Sequence, residues 1–275
     1  MKSQSDVGTL AVVLGDQLDE RYPEHLGLDR ERDAILMIEV AGASESPPSH
    51  AQRTVVCLSA MRHHAEALRA DGWRVEYQTL ADTGAGGSFD GAFVDAFKRI
   101  RPAAVACIEP GDHAVRDALE DACAAVKLNL NISPDPHFLC SLDAFSEWAS
   151  GRKELTLEYF YRWQRKEHGV LMAPDGKPEG GGWNFDKENR KAFRKAPEPP
   201  PGPNFPPDAI TEEVMRDVAE ALPDLPGSIG GFDWPVTRAQ ALEALDAFVA
   251  DRLPRFGDFQ DAMWTGEHTL YHSLL

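Results

Sequence analysis

The sequence predicts an α/β protein in which residues 1–140 form a doubly wound parallel sheet. Short apolar runs without polar alternation recur along this stretch, as expected for strands that are buried on both faces. Amphipathic segments with helical spacing separate these runs, a pattern that is typical of βαβ units. The composition changes after about residue 150, where proline, glycine and charged residues become frequent.

Five strands are predicted from the apolar runs. They are TLAVVLG (9–15), AILMIEV (34–40), WRVEYQTL (73–80), AAVACIEP (103–110) and LNLNIS (128–133). Helices are predicted between them over 50–72, 89–102 and 113–126, because apolar residues recur there at helical spacing. The first helix ends at a glycine and the second at a proline, both of which are helix stop signals. Right-handed crossovers then produce the doubly wound sheet.

The rest of the chain is predicted to be a connector followed by helices. One helix is predicted over 151–170, with Leu157 and Phe160 in its core face, and seven prolines follow between positions 196 and 209. Two further helices are predicted to open with threonine caps at Thr211 and Thr237. The predicted organisation is a domain over 1–140, a helix and connector over 141–209, and a helical portion over 210–275.

Charge and composition exclude several classes of function. The formal net charge of −17 argues against nonspecific nucleic-acid binding, although residues 152–195 carry a local excess of four positive charges. No apolar run is long enough for a membrane span and the N-terminus lacks an apolar signal core, so a cytoplasmic protein without a membrane partner is predicted. The four cysteines lack metal-site spacing, and no metal ligands are predicted.

Two strand ends carry candidate ligand-binding residues. Ligands in doubly wound sheets bind outside the carboxyl ends of the strands, which points to Gly15, Asp16 and Gln17 after the first strand and to Glu109 after the fourth. A simple strand-end turn is the alternative interpretation. The sequence has neither the GxGxxG dinucleotide motif nor the GxxxxGK[ST] phosphate loop after the first strand.

The segment EYFYRWQRK (158–166) combines bases with aromatic residues in an otherwise acidic chain. Tyr159, Arg162 and Lys166 share one stripe of the predicted helix. This stripe is either a solvated basic face or a surface that contacts phosphates. The loop GGGWNFDKENR (180–190) is predicted to dock onto another surface, left unspecified, through Trp183 and Phe185.

Several blocks together resemble the deoxyribodipyrimidine photolyase-related proteins, a family of prokaryotic (6-4) photolyases and iron–sulfur bacterial cryptochromes. The blocks run in order along essentially the whole chain and are VVLGDQL, SAMRHHAEALR, IEPGDHAVR, GRKELTLEYFYR, GGGWNFDKENR and FQDAMWTGEHTLYHSLL. The resemblance implies a photolyase antenna domain, a long connector and the start of an all-helical domain that holds FAD. It implies light-driven repair of pyrimidine photoproducts in damaged DNA by a carbon–carbon lyase in the full-length parent.

The resemblance also implies roles for particular residues. Gly15, Asp16, Gln17 and Glu109 match the antenna pocket, which in relatives usually holds 6,7-dimethyl-8-ribityllumazine. His272, Ser273 and Leu274 match the start of the FAD cradle. The bases of the predicted 151–170 helix are candidates for DNA contact, namely Arg152, Lys153, Arg162 and Arg165.

The sequence departs from the family pattern at three places. Relatives carry a second glutamate after the second strand where this chain has Ala43, and an alanine cannot accept a hydrogen bond from the usual lumazine. Tyr271 stands where relatives have asparagine. The chain ends inside the HSLL block, so most of the FAD pocket, the catalytic residues and the iron–sulfur ligands are expected outside it, and this chain alone is predicted to be inactive.

Two other hypotheses remain open at this stage. One is a stand-alone module or partner subunit that binds a chromophore or a nucleotide at its strand ends without catalysis. The other is a non-functional fragment that exposes an apolar face over residues 237–275.

Overall fold

The computed structural model describes residues 7–45, 47–84, 87–267 and 270–271. A parallel five-stranded sheet lies in this part of the chain, with the strand order β3-β2-β1-β4-β5. Its strands are β1 (Thr9–Val12), β2 (Ala34–Ile38), β3 (Val75–Gln78), β4 (Ala104–Ile108) and β5 (Leu130–Ser133). Each lies within one of the predicted runs, so the predicted doubly wound sheet is confirmed.

Helices of the first half of the chain connect the strands and cover both faces of the sheet. They are α1 (Tyr22–His25), α2 (Gly42–Glu45), α3 (Ala51–Ala70), α4 (Leu80–Thr83), α5 (Phe89–Ile100) and α6 (His113–Val126). Alternate residues of a strand point to opposite faces. Leu36 of β2 therefore packs in one core with Phe93 and Leu119, whereas Ile35 packs in the other with Val55. Burial on both faces explains why the strands are continuous apolar runs.

Further helices follow the sheet strands in sequence. They are α7 (Leu142–Ala149), α8 (Leu157–His168), α9 (Ala209–Ala221), α10 (Arg238–Asp251) and α11 (Leu253–Phe259), with a short 3-10 helix over Glu179–Gly181. The chain divides into two compact units. The first, here called the sheet unit, comprises Met1–Ser133 and Pro203–Ala244, and the second, here called the helical unit, comprises Pro134–Gly202 and Leu245–Leu275.

Residues 203–244 belong to the sheet unit, together with Met1–Ser133. Helix α9 contributes Val214 and Val218, which are 0% and 1% exposed, to the core formed by α3 and the sheet. This packing buries an apolar stripe of α3 that the five strands and their own connecting helices leave uncovered. The sheet unit is therefore assembled from two segments that are distant in sequence.

The predicted helix over 151–170 is too long at its N-terminal end. Gly151 has a φ of 72°, and Thr156 has extended backbone angles at the position that precedes α8. Gly151 can adopt this left-handed conformation without a steric cost and interrupts the helix there. The predicted core position of Leu157 is also wrong, because this side chain is 78% exposed at the first turn of α8.

The N-cap of α9 is Asp208, not the predicted Thr211. Asp208 Oδ1 accepts hydrogen bonds from the backbone nitrogen and the hydroxyl of Thr211, at 2.9 and 2.8 Å. Its Oδ2 lies 3.2 Å from His63 Nε2 on α3. Burial acts to raise the pKa of Asp208, but the bonds from Thr211 and the proximity of His63 outweigh it and lower the pKa. The predicted cap at Thr237 is confirmed, since its hydroxyl accepts from Gln240 N at 3.2 Å.

We expect the substitution Asp208→Ala to lower the free energy of unfolding by about 1 kcal/mol at neutral pH, because it removes the cap. A depressed folded-state pKa contributes stability above the ordinary aspartate pKa, and this contribution is lost as the pH falls through the folded value. Denaturant titrations of both proteins at neutral and acid pH measure the difference, with the exposed Asp224→Ala as a control. A difference that persists unchanged in acid would contradict this account.

Candidate functional site

The candidate site lies where the strand order reverses. β1 is hydrogen-bonded to β2 on one side and to β4 on the other, so the connections after these strands diverge at the carboxyl ends of β1 and β4. Gly15, Asp16 and Gln17 follow β1, and Glu109 directly follows β4. The sheet therefore brings these four predicted residues to the same crevice, which is where ligands bind in open α/β sheets.

Gln17 is the most informative residue of this crevice. It is 2% exposed, and its Nε2 donates to the carbonyl oxygens of Ile108 and Glu109 at 3.3 and 2.9 Å. Its Oε1 is buried and has no hydrogen-bond partner among the residues that the structure describes. An unpaired buried acceptor costs about 1–3 kcal/mol, so a donor supplied by a ligand would recover this energy.

The glycines beside Gln17 allow close approach of neighbouring atoms. A Cβ atom at Gly111 would lie 3.1 Å from Asp16 Oδ2, and one at Gly15 would lie 3.0 Å from Met61 Sδ. Asp16 is exposed at the rim of the crevice. Its carboxylate oxygens can therefore accept hydrogen bonds from hydroxyl or ring N–H groups of a ligand.

Glu109 is held by a cation on α6. Arg116 Nη1 lies 2.5 Å from Glu109 Oε1, and Arg116 Nε lies 2.9 Å from Glu120 Oε1. Hydrogen bonding to Glu120 and the charge of Glu109 raise the pKa of Arg116. The backbone carbonyl of Glu109 orients Gln17, whereas the side chain of Glu109 accepts from Arg116.

The glutamate at the end of β2 is already fully engaged. Glu39 is 1% exposed and accepts from Arg62 Nε at 2.8 Å, Arg62 Nη2 at 2.9 Å, Tyr77 Oη at 2.6 Å and Leu80 N at 2.9 Å. Burial and the nearby Glu39 charge raise the pKa of Tyr77, so its hydroxyl remains a donor. Glu39 is a structural group, and the neighbouring Ala43 offers no side-chain acceptor.

Arg62 extends this buried network to α9. Its Nη1 lies 3.0 Å from Glu213 Oε1, and its Nη2 lies 2.6 Å from Asp217 Oδ2. Burial acts to lower the pKa of Arg62, but the hydrogen bonds and charges of Glu39 and Asp217 raise it. This network is not predictable from the sequence. The sequence shows a carboxylate at the end of an apolar strand and an arginine on an apolar helix face. It does not show that the two side chains are paired.

The predicted basic residues of α8 converge on one aromatic ring. The indole of Trp183 lies 5.5, 5.3 and 5.4 Å from the cationic groups of Arg162, Arg165 and Lys166. Cations at such distances from an indole are attracted to its face. Trp183 therefore docks its loop onto α8, and Phe185 packs beside the backbone at Gly180 in the same loop.

The four predicted DNA-contact residues differ in whether their charged groups already have partners within the protein. Arg165 is 7% exposed and donates to the carbonyls of Val170 and Leu171, and Arg162 pairs with Glu158. Arg152 lies 4.4 Å from the Trp148 ring and donates to its carbonyl at 2.5 Å. Only Lys153 is exposed without a recorded polar contact in the described part of the chain. His272, Ser273 and Leu274, the predicted start of the FAD cradle, lie outside the described residues.

The five-stranded parallel sheet places the chain among the doubly wound α/β proteins, whose ligands bind outside the carboxyl ends of the strands. The family model of the deoxyribodipyrimidine photo-lyase-related proteins matches residues 11–234, and the chain belongs to this family. The chain is also 40% identical over 266 residues to a (6-4) photolyase of Agrobacterium fabrum strain C58, covering 97% of this chain and 52% of that protein. The chain thus spans about half the length of this curated relative.

A solved structure provides a more distant comparison. A cryptochrome from Synechocystis sp. PCC6803 is 12% identical, with a TM-score of 0.44, and the match covers 62% of this chain and 36% of the other. Within the described part of the chain, no helix is long and apolar enough to cross a membrane. The same part contains no group of three or more His, Cys, Asp or Glu side chains suited to a metal ion.

Proposed function

We propose that this chain is the N-terminal, chromophore-carrying part of a light-driven flavoprotein that repairs pyrimidine photoproducts in DNA. The membership of the photolyase-related family and the name of the (6-4) photolyase relative support the repair activity. The unpaired Gln17 Oε1 at the switch point supports a ring ligand in the sheet unit, and it is the observation on which this assignment depends.

The residues of the crevice have separate tasks in this proposal. Gln17 uses Nε2 to lock its amide against the carboxyl end of β4, which leaves Oε1 fixed as an acceptor for a ring N–H or hydroxyl of the ligand. Asp16 accepts hydrogen bonds from hydroxyl groups at the rim. The absence of a side chain at Gly111 leaves room for the Asp16 carboxylate.

The crevice fits a ribityl lumazine only in part. Gln17 Oε1 and Asp16 provide acceptors, whereas Glu39 is saturated by Arg62, Tyr77 and the Leu80 amide. Ala43 removes the acceptor that relatives place nearby. We therefore expect weaker binding of the lumazine than a site with that glutamate would give.

FAD would supply light-driven electron transfer in the full-length protein. The residues assigned to the start of its cradle by resemblance are His272, Ser273 and Leu274. Damaged DNA is the proposed partner of the full-length protein.

A ligand titration tests the assignment of the crevice. We expect the purified chain to bind 6,7-dimethyl-8-ribityllumazine, and the absorption and fluorescence of the ligand measure this binding. The substitution Gln17→Leu is expected to raise the Kd by roughly 2- to 10-fold or more. The loss follows from removal of the fixed acceptor. Gln78→Leu, the same substitution in the edge strand β3, serves as the matched control and should leave the Kd unchanged.

Equal binding by wild type and Gln17→Leu, both folded by circular dichroism, would contradict the assignment. A second candidate function is a stand-alone binding module without catalysis, which the unpaired Gln17 Oε1 at the switch point also supports. Parallel titrations with FMN and AMP test that alternative. Tighter binding of either ligand than of the lumazine, with the same dependence on Gln17, would support the binding module.

A further inference from the structure

A cleft of about 720 Å³ in the helical unit has no role in the function proposed above. It lies between the segment 191–198 and the C-terminal end of α11. Its lining includes the cations Lys191, Arg194, Lys195 and Arg255, against one carboxylate, Glu198. A positive cleft in a chain with a formal net charge of −17 indicates a local preference for an anion.

The floor of the cleft is aromatic and well packed. The rings of Phe193 and Phe259 are stacked with centroids 4.6 Å apart and planes inclined by 8°. Tyr271 lies 5.7 Å from Phe259, and its hydroxyl accepts from Arg255 Nη1 at 2.9 Å. The guanidinium of Arg255 also lies 4.6 Å from the centroid of the Tyr271 ring. Phe193 is half-buried, so part of its surface remains available to a planar ring.

The cations of the cleft differ in their availability. Lys191 Nζ lies 2.6 Å from Asp258 Oδ1, and Lys191 N donates to Asp258 O at 3.1 Å. These two bonds and the Phe193–Phe259 stack hold the start of the segment 191–198 against α11. Arg194 and Lys195 follow directly, are exposed and have no recorded ion pair or hydrogen bond in the described part of the chain. They are held beside an apolar floor without being neutralised.

This arrangement contrasts with helix α8, where the sequence predicted the DNA contacts. There Arg162 and Arg165 are committed to Glu158, to Trp183 and to backbone carbonyls. The side chains of Arg194 and Lys195 have no such internal task. Arg194 and Lys195 therefore keep part of the local positive excess of residues 152–195 available to a ligand.

We propose that the 191–198 cleft binds a nucleotide unit, with the phosphate at Arg194 and Lys195 and the base against Phe193. Arginine and lysine beside an aromatic surface are the groups that bind single-stranded nucleic acid without reading its sequence. The same chemistry could recognise a free nucleotide. That this nucleotide unit belongs to single-stranded or unpaired DNA rests on the proposed function. That the cleft binds a nucleotide unit does not depend on it.

Fluorescence anisotropy with a labelled oligothymidine at low salt tests this site. We expect the double variant R194Q/K195Q to bind about 20-fold more weakly at roughly 0.1 M salt, because each lost phosphate contact reduces the slope of log K against log salt by about 0.7. K177Q/K187Q removes the same charge from two exposed positions of the same unit and serves as the matched control. An equal loss in both variants, or no loss in R194Q/K195Q, would overturn the proposal.

The variant Phe193→Leu removes the proposed base contact together with its stack on Phe259, while Lys191 still ties the segment to Asp258. We expect it to weaken oligothymidine binding by roughly 5- to 100-fold, since base stacking on an aromatic ring contributes about 1–3 kcal/mol per base. Its melting temperature should stay near that of the wild type. Unchanged oligothymidine affinity in folded F193L would overturn the base contact.

Competition experiments distinguish the two sources of the ligand. Displacement of the oligonucleotide only at much higher concentrations of dTMP supports a DNA strand as the ligand, and displacement at similar concentrations supports a free nucleotide. Inorganic phosphate that competes as well as dTMP overturns the proposed base contact. The Gln17→Leu titration reports on the sheet unit, so the two assignments can fail separately.

Discussion

The substitution Val218→Asp is expected to lower the free energy of unfolding by about 4 kcal/mol or more. Val218 is 1% exposed in the core that α9 shares with α3 and the sheet. The change loses about 1.5–3 kcal/mol of apolar burial and adds the cost of burying a carboxylate without a partner. Denaturant-induced unfolding, followed by circular dichroism, measures the effect.

Ala219→Asp is the matched control, because it introduces the same carboxylate on the adjacent, exposed position of α9. We expect this control to lie within about 0.5 kcal/mol of the wild type. Similar stabilities of the two variants would show that α9 does not pack on α3 in solution. The segment 203–244 would then not form part of the sheet unit.

The substitution Glu39→Ala is expected to lower the free energy of unfolding by about 3–5 kcal/mol. It removes the buried carboxylate that accepts from Arg62, Tyr77 and the Leu80 amide. Removing one partner of a buried ion pair is costly, because Arg62 Nε, the Tyr77 hydroxyl and the Leu80 amide lose their acceptor, while Arg62 keeps only Glu213 and Asp217. Thermal and denaturant unfolding at constant pH measure this loss.

Two companion variants test the reason for that loss. Glu120→Ala removes a carboxylate that pairs with Arg116 at the surface, and we expect it to cost no more than about 1 kcal/mol. The double variant Glu39→Leu/Arg62→Met removes both partners and should recover part of the stability lost in Glu39→Ala. A double variant that is less stable than the single one would contradict the view that the donors left without Glu39, Arg62 foremost, cause the loss.

The five strands could be predicted from the sequence because strands buried on both faces leave an uninterrupted apolar signal. β2 illustrates this, since all five of its residues are buried. The position of the crevice followed from the same regularity, because parallel strands place their carboxyl ends at one edge. The unpaired state of Gln17 Oε1 could not be predicted, since it depends on the amide being held by the carbonyls of Ile108 and Glu109.

The surface on which α9 packs could not be predicted from the sequence either. Its pattern shows an apolar face with Val214 and Val218, but a face of this kind does not specify which surface it covers. For α8, the stripe of Tyr159, Arg162 and Lys166 was predicted, yet the tertiary contact with Trp183 determines how its cations are used. Spacing along a helix predicts which residues are neighbours, and only the packed structure shows which charges are satisfied.

The two-segment construction of the sheet unit has a consequence for biosynthesis. Arg62 and Asp217 are 155 positions apart, so their contact forms only after the intervening chain has left the ribosome. At roughly 5–20 residues per second, translation of Pro134–Gly202 alone takes about 3–14 s. During this interval the nascent strands can pair while the apolar stripe of α3 still faces solvent. The newly made sheet is therefore a natural client for chaperones until α9 closes over it.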